Sequence, residues 1–454
     1  MPVEDSLEAL AVAFLLITSA KLMPFVLAHK FCTTYLAPVI SFIDIGQNLS
    51  QQVCHCVMLA WEKCCMMQKN VTTLLLYSIF LCKFAHMNKT YLNTDISDKR
   101  IALLLSGGVD SSVVLYELAS RGLKPDCFYI KIGPEEKEEW DCTSEEDLEM
   151  ATAVARRYGC SLEVVDCHRE YWDQVTRYTM DKVRSGFTPN PDVMCNRLIK
   201  FGAFDQKRGH EYDLIATGHY AQTEEDGDGR KWLTTSPDPV KDQTDFLAQI
   251  YQWQLRKALF PIGHYQKGEV RAIAEREHLI NARRKDSQGI CFLGKVNYND
   301  YIRRYLGEMP GDVLEFETGR LIGRHKGLWF HTIGQRHGLG FGGGPWYVVK
   351  KDVAANVLYV SKGFEPLTAY KRDFLIRDFH FLTADPWGAP GTSAQVRFKI
   401  RHTPEYHKAV LERTSSGEFV VHADDMIQGV APGQFCVVYD EQHHRCFGSG
   451  EITL

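Results

Sequence analysis

A chain of 454 residues, 45% hydrophobic and 24% charged, has room for about two to four domains and is too ordinary in composition to be disordered or collagen-like. Its net charge of −5 excludes a globally basic nucleic-acid binder, so any basic surface is local. Its 14 cysteines are too irregularly spaced in too long a chain for a small disulfide framework, which points to a reducing compartment and free thiols.

Residues 1–97 read as an N-terminal extension. Ala9 to Ala28 is almost wholly apolar, broken by Lys21 and Pro24, and approaches the ~20 residues that span a bilayer. Asp5 and Glu8 stand where a signal peptide carries positive charge. Val71 to Phe84 is a second apolar run, too short to span. Cys54-His55-Cys56 and Cys64-Cys65 have no second pair at tetrahedral spacing, so they do not make a zinc site. The pattern fits a poorly ordered extension, in the manner of an organelle-targeting leader, better than a membrane anchor, and no membrane partner is expected. The absence of arginine up to Ile96 argues against a mitochondrial transit peptide.

Residues 98–296 carry the chemistry. An apolar run, Ile101 to Leu105, precedes Ser106-Gly107-Gly108-Val109-Asp110-Ser111-Ser112, and a helical pattern follows from Val113 to Ala119. Strand, glycine turn and helix bring backbone N–H groups and a helix N-terminus to an anion. No Walker A lysine is present, so the loop suits pyrophosphate departing after attack at an α-phosphate better than γ-phosphate transfer. Cys127 to Ile132, Leu162 to Val165 and Asp213 to Thr217 read as strands, and Ala151 to Tyr158 as a helix after an acidic stretch, Glu135 to Glu149. Strands alternating with helices predict an α/β domain with a parallel sheet. The glycine loop and Gly218-His219 fall at carboxyl ends of strands, where such sheets bind ligands.

Two cysteines stand out. Cys195 follows Pro189 and Pro191, which hold Asn190-Pro191-Asp192-Val193-Met194 extended before a helical run from Arg197 to Phe204. That places Cys195 near a helix N-terminus, where a thiolate is favoured. Cys291 lies in Asp286-Ser287-Gln288-Gly289-Ile290-Cys291-Phe292. Cooperating thiols, buried small residues and a metal pair all remain open, the last without a nearby histidine or CxxC pair. Lys241-Asp242-Gln243-Thr244 reads as a helix cap.

Residues 297–366 are glycine-rich, with a few strands such as Trp346 to Val349 and Val357 to Val360, and read as a small linking domain. Residues 367–454 turn all-β. From Gln395 to Arg401, Val396, Phe398 and Ile400 alternate with Arg397, Lys399 and Arg401. Phe419 to Val421 and Phe435 to Tyr439 are further strands, with turns at Ser415-Ser416-Gly417 and Ala431-Pro432-Gly433. Short strands at regular spacing suggest a small barrel. Its basic row is either a solvated face or a phosphate-contacting one.

The motifs SGGVDSS, NPDVMCN, ATGHYA, KDQ, DSQGICFLG, GQRHGLG and APGQ occur in this order. In them, and from about Arg100 to the C-terminus, the chain resembles the tRNA-specific 2-thiouridylases (the MnmA/TrmU family). The resemblance implies an ATP-pyrophosphatase domain of the adenine nucleotide α-hydrolase-like (PP-loop) type, a linking domain and a C-terminal β-barrel. It implies ATP bound at Leu104, Leu105, Ser106, Gly107, Gly108, Val109, Asp110, Ser111, Ile130 and Gly218; magnesium is expected because ATP chemistry normally needs it. It implies adenylation of the wobble uridine of tRNA at its C2 oxygen. A persulfide on Cys291 then delivers sulfur, and Cys195 is the partner thiol, because a persulfide is resolved by a second sulfur. Asn190, Pro191 and Asp192 match the segment that meets the target base. His219, Lys241, Asp242, Gln243, Arg401, His402 and Gln434 match tRNA-contacting positions. A cysteine desulfurase or sulfur-relay protein as donor, tRNAs for Lys, Glu and Gln as acceptors, and a mitochondrion or plastid (in a eukaryote; otherwise the cytoplasm) complete the family expectation. Departures include Leu104 and Leu105 for smaller residues, Ile130 for a methionine, Asp245 for an aromatic, His337 for a lysine and His402 for a tyrosine. The rival readings are another ATP-pyrophosphatase ligase, which leaves both cysteines without a task, and a tRNA-binding protein without catalysis.

Overall fold

The structure, a computed structural model, describes residues 96–132, 144–285, 298–363 and 367–453. The N-terminal apolar runs and cysteines, the acidic residues before Ser144, and the Asp286-to-Phe292 motif with Cys291 lie outside the described residues.

The first sheet is parallel and five-stranded, in the order β3-β2-β1-β4-β7. Its strands are β1 (Ile101–Leu104), β2 (Asp126–Lys131), β3 (Leu162–Asp166), β4 (Leu214–Ala216) and β7 (Ala258–Leu259). β1 is apolar along its length because both of its faces are covered. Ala102 and Leu104 join one core with Phe128, Ile130 and Phe204. Ile101 and Leu103 join another with Val113, Leu118 and Val154. Helix α1 (Val109–Ser120) follows β1, and α2 (Ser144–Arg157) follows β2. α2 starts well before the predicted Ala151: Glu145, Glu146 and Asp147 form its first turn, where carboxylates favour the helix dipole. The strand order reverses between β1 and β4, so a crevice opens beyond their carboxyl ends. Helix α3 (Pro191–Cys195), α4 (Thr244–Leu247) and α5 (Lys267–Arg276) complete the elements around it.

The linking region opens with α6 (Tyr298–Leu306) and forms a four-stranded sheet from β8 (Gly311–Glu315), β9 (Leu321–His325), β10 (Trp346–Asp352) and β11 (Val357–Lys362). Val313, Trp346, Val348, Leu358 and Val360 fill its core.

The last region is a closed antiparallel barrel, as the turn spacing predicts. Strands β12 (Tyr370–Phe381), β13 (Ser393–Lys399), β14 (His407–Arg413), β15 (Phe419–Gln428), β16 (Phe435–Tyr439) and β17 (Arg445–Thr453) run β12-β15-β14-β13-β16-β17, and β12 pairs with β17 to close the ring. The catalytic region extends this sheet. Its hairpin of β5 (Gln222–Glu225) and β6 (Lys231–Thr234) pairs with β17 at Leu233 and Thr234. Val396, Phe398 and Ile400 point into the barrel core as expected. The opposite face of β13 is not a solvated basic row. Lys399 is completely buried there, 3.6 Å from the equally buried Asp242 carboxylate of the catalytic region.

Candidate active site

The glycine loop sits on the crevice. Leu105 N–H donates to the Phe128 carbonyl at 2.8 Å, which ends β1 under the loop. Gly107 takes φ +75°, and an added Cβ there would overlap the Asp147 carbonyl oxygen of α2. Gly108 caps α1 in extended conformation with no side chain to occupy the first-turn N–H groups, so these face the crevice for an anion. Ser106 N–H donates to Ser111 Oγ at 3.2 Å, and the Ser111 and Ser112 hydroxyls donate back to the Gly108 carbonyl at 3.2 and 2.9 Å. Gly218, after β4, lies against this turn, where a Cβ would come within 3.0 Å of Ser111 N. Leu104, Leu105, Val109 and Ile130 are buried in the sheet's two cores. Their side chains support the crevice floor, and only their backbone is available to a nucleotide.

Three residues that sequence reasoning did not single out, Asn281, Arg284 and Lys267, hold the loop. Asn281 Nδ2 donates to the Gly107 carbonyl at 2.7 Å and to Ser112 Oγ at 2.8 Å. Arg284 reaches the same carbonyl at 3.4 Å and pairs with Asp147, and with Glu146 at 3.5 Å. Asp110, in the first turn of α1, takes both carboxylate oxygens to Lys267 Nζ (2.7 and 2.9 Å) and accepts from Tyr220 OH at 2.8 Å. The only sequence signal is that Lys267, Asn281 and Arg284 lie in the polar stretch running up to the Cys291 motif; the pairing itself is tertiary.

The second motif is a helix start. Asn190 Oδ1 accepts from Asp192 and Val193 N–H at 3.1 and 3.4 Å, and Pro191 occupies the first turn of α3. The loop is thus a capped helix rather than an extended segment. The helix continues through Asn196–Ala203, so Cys195 is one turn in from the N-terminus, beyond the strongest part of the dipole. Cys195 is 1% exposed and belongs to the sheet's core.

The residues matched to tRNA contacts divide. Asn190, Pro191, Arg401, His402 and Gln434 line one cavity of about 240 Å³ between α3 and the barrel. Lys399 and Asp245 also line it. His402 Nδ1 lies 3.1 Å from Asp245 Oδ2 and its ring stacks near Phe246, so the Asp245 departure creates a polar pair rather than a packing gap. Asp192, His219, Lys241, Asp242 and Gln243 lie outside that cavity. Asp242 is fully buried, with donors from Ser236 N–H (3.0 Å), Thr244 Oγ1 (2.8 Å) and Tyr406 OH (2.8 Å). Its carboxylate is therefore taken up in a joint between regions. Burial pushes its carboxyl pKa up, against the pull of Lys399. Gln243 binds the Tyr220 backbone in both directions, at 3.0 and 2.8 Å. His219 is buried between Phe201 and Phe260, 2.8 Å from Thr217 Oγ1 and 3.3 Å from Lys200 Nζ. Burial first, and the Lys200 charge second, hold its pKa well below the usual imidazole range, so it is neutral at pH 7.

Among the described residues no cluster of three or more His, Cys, Asp or Glu side chains is placed to hold a metal. No helix among them is long and apolar enough to cross a membrane.

Three family models cover the chain in succession: a tRNA methyl transferase HUP domain over residues 99–295, a tRNA methyl transferase PRC-barrel domain over 299–362, and an aminomethyltransferase beta-barrel domain over 371–452. The tRNA-specific 2-thiouridylase MnmA 1 of Bacteroides thetaiotaomicron is 58% identical over 353 residues, covering 78% of this chain and 99% of the relative. The tRNA-specific 2-thiouridylase MnmA 2 of Bacteroides fragilis is 59% identical over 352 residues, with 78% and 99% covered. The tRNA-specific 2-thiouridylase MnmA of Parabacteroides distasonis is 55% identical over 353 residues, with 78% and 98% covered.

Proposed function

The chain belongs to the tRNA-specific 2-thiouridylase family, and from that premise we propose that it replaces the C2 oxygen of the wobble uridine (position 34) of tRNA with sulfur, consuming ATP. The observation that carries the reading is a lysine-free glycine loop opening at the point where the strand order reverses, in a chain whose α3 start and barrel line a shared open pocket.

ATP lies with its phosphates on the Ser106-to-Ser111 turn and the N-terminus of α1, with Gly218 on the other side of the crevice. The uridine C2 oxygen attacks the α-phosphorus. The bond from that phosphorus to pyrophosphate breaks, and an adenylated uridine forms. Adenylation is required because a carbonyl oxygen is a poor leaving group until phosphorylated. The terminal sulfur of a Cys291 persulfide then adds at C2 and AMP departs. Cys195 then attacks Cys291 Sγ, the S–S bond to the transferred sulfur breaks and frees 2-thiouridine, and the Cys195–Cys291 disulfide left behind is reduced by an external thiol. Cys195 must become accessible for this, since burial excludes it from solvent in this state. Asn190, Pro191, Arg401, His402 and Gln434 serve tRNA from the cavity they share. Magnesium enters as part of the nucleotide substrate: the one carboxylate on the loop, Asp110, is already paired with Lys267, which is not a resident metal site. A cysteine desulfurase or relay protein as sulfur donor, Lys, Glu and Gln tRNAs as acceptors, and an organellar site if the source is eukaryotic follow from the family.

The test is in vitro thiolation of unmodified tRNA with ATP and a sulfur source, read as 2-thiouridine by nucleoside mass spectrometry. Wild type should give product, while Cys195→Ser and Cys291→Ser should not when the donor is a desulfurase. ATP turnover and tRNA binding without thiolated base would favour a ligase; tRNA binding without turnover would favour a non-catalytic binder.

A further inference from the structure

We propose that Lys267 is a catalytic residue, the cation that binds and neutralises the departing pyrophosphate. The inference rests on the adenylation reading and adds a residue to it. The loop itself supplies backbone and hydroxyl donors but no positive charge. Breaking the bond between the α-phosphorus and the bridging oxygen leaves that oxygen's electron pair, and its negative charge, on pyrophosphate. Fixed dipoles stabilise such charge, and a positioned ammonium does so more strongly.

Lys267 is built for that position. Its backbone is anchored. It is the first residue of α5, its N–H donates to Asp238 Oδ2 at 2.9 Å, and Gln266 and Glu269 cap the helix reciprocally. α5 packs against α1, the helix whose N-terminus opens on the crevice. From that fixed root a four-carbon stem passes the Tyr220 ring, with Nζ 5.7 Å from its centroid. Nζ ends on Asp110, the second residue of α1. The ammonium therefore already stands at the turn that receives phosphates, in a side chain 15% exposed.

Its present partner can release it. Asp110 is also held by Tyr220 OH at 2.8 Å, so its carboxylate keeps a donor when Nζ swings to a phosphate oxygen. Arg284, the other cation against the glycine turn, is committed to Asp147 and Glu146 and braces the Gly107 carbonyl. The division is positional: Asn281 and Arg284 shape the turn, and Lys267 meets the charge. No proton changes hands; the ammonium acts as a charge.

The full chain provides two independent readouts. The first needs no tRNA: equilibrium binding of inorganic pyrophosphate and of AMP to wild type and Lys267→Gln. Pyrophosphate affinity should fall about tenfold or more while AMP affinity stays within about twofold. The second is pyrophosphate release with ATP, magnesium and unmodified tRNA, where kcat for Lys267→Gln should fall about 100-fold and Lys267→Arg should recover part of it. Release within about threefold of wild type, or an equal loss of AMP and pyrophosphate binding, overturns the proposal. Lys267→Gln leaves the Asp110 charge without its ion-pair partner. If that variant unfolds, the Asp110→Asn/Lys267→Gln double variant removes both charges and must show the same selective loss of pyrophosphate. Absence of pyrophosphate release by wild type would sink the adenylation reading instead, a result the binding pair does not depend on.

Discussion

At the scale of single residues, the two adjacent glycines of the loop are not equivalent. Gly107 has φ +75° and no room for a Cβ beside the Asp147 carbonyl, whereas Gly108 is extended and meets only Ser106 Oγ, at 3.4 Å. Gly107→Ala should cost about 1–3 kcal/mol of local strain and displace the turn, abolishing pyrophosphate release with the rest of the fold kept. Gly108→Ala should leave the unfolding midpoint nearly unchanged. Parallel thermal unfolding and turnover measurements check the contrast. Comparable stability losses in both variants would contradict it. Cys195 gives a second expectation at this scale. Because it is 1% exposed within the sheet core, alkylation of the unliganded chain should modify it much more slowly than partly buried Cys160, as followed by peptide mass spectrometry. The motif spelled out both the loop and the cysteine, but not which glycine is strained nor that the thiol is covered. Those depend on α2 and on the helices packed around Cys195, which no local pattern encodes.

At the scale of elements, β13 shows how far alternation reads. Its apolar half was legible because one face of a barrel strand is always core. Its basic half was not, because what covers the other face comes from elsewhere in the chain. Lys399 lies against Asp242, in the turn before α4, with Tyr406 OH on the same carboxylate and the Lys399 ammonium 4.1 Å from the Tyr406 ring centroid. Removing one member of a buried pair leaves an uncompensated charge, at about 3–5 kcal/mol. Asp242→Ala and Lys399→Met should therefore each lower stability by that order. The double variant should be less destabilised than the sum of the two, giving a coupling energy in denaturant unfolding. Additive losses would mean that the pair does not act as a unit. The hairpin of β5 and β6 escaped sequence reading for a related reason. Its strands are short, and the first, Gln222–Glu225, is polar, so its strand character comes from pairing with β6, which is itself held by β17, rather than from its own residues.

At the scale of the whole molecule, the order of α/β sheet, linking sheet and closed barrel was legible from pattern and turn spacing, while the joints were not. Lys182 on Glu451 (2.5 Å), Gln249 on Ser449 and Lys351 on the Gly186 carbonyl (3.1 Å) are all long-range pairings. Burial in these assembled layers also decides how the molecule responds to acid. His264, in the catalytic region, and His331, in the linking region, are each pushed down to about 4, chiefly by burial. His219 is held well below its usual range by the same cause. An unfolded chain exposes these imidazoles, which then bind protons near pH 6.5. The folded state refuses those protons until far lower pH, so the unfolded state binds more of them below pH 6.5 and stability falls as pH falls. The three contributions are complete above about pH 6.5, and those of His264 and His331 drain away toward about pH 4. His422 works in the opposite sense: hydrogen bonding to Asp373 raises its pKa, with Glu412 adding to the effect, so its contribution is present at low pH and lost as pH rises through the folded-state value. His325, His380 and His407 are lowered by burial as well, so among the described residues six depressed imidazoles stand against one exposed raised one, and denaturant midpoints at pH 7.5, 6.5 and 5.5 should decline in that order. His331→Gln, which removes one titrating group, should flatten part of the slope. A midpoint unchanged between pH 7.5 and 5.5 would show that these imidazoles take up protons in the folded state as readily as in the unfolded one, and that the layers around them open to water before the molecule unfolds.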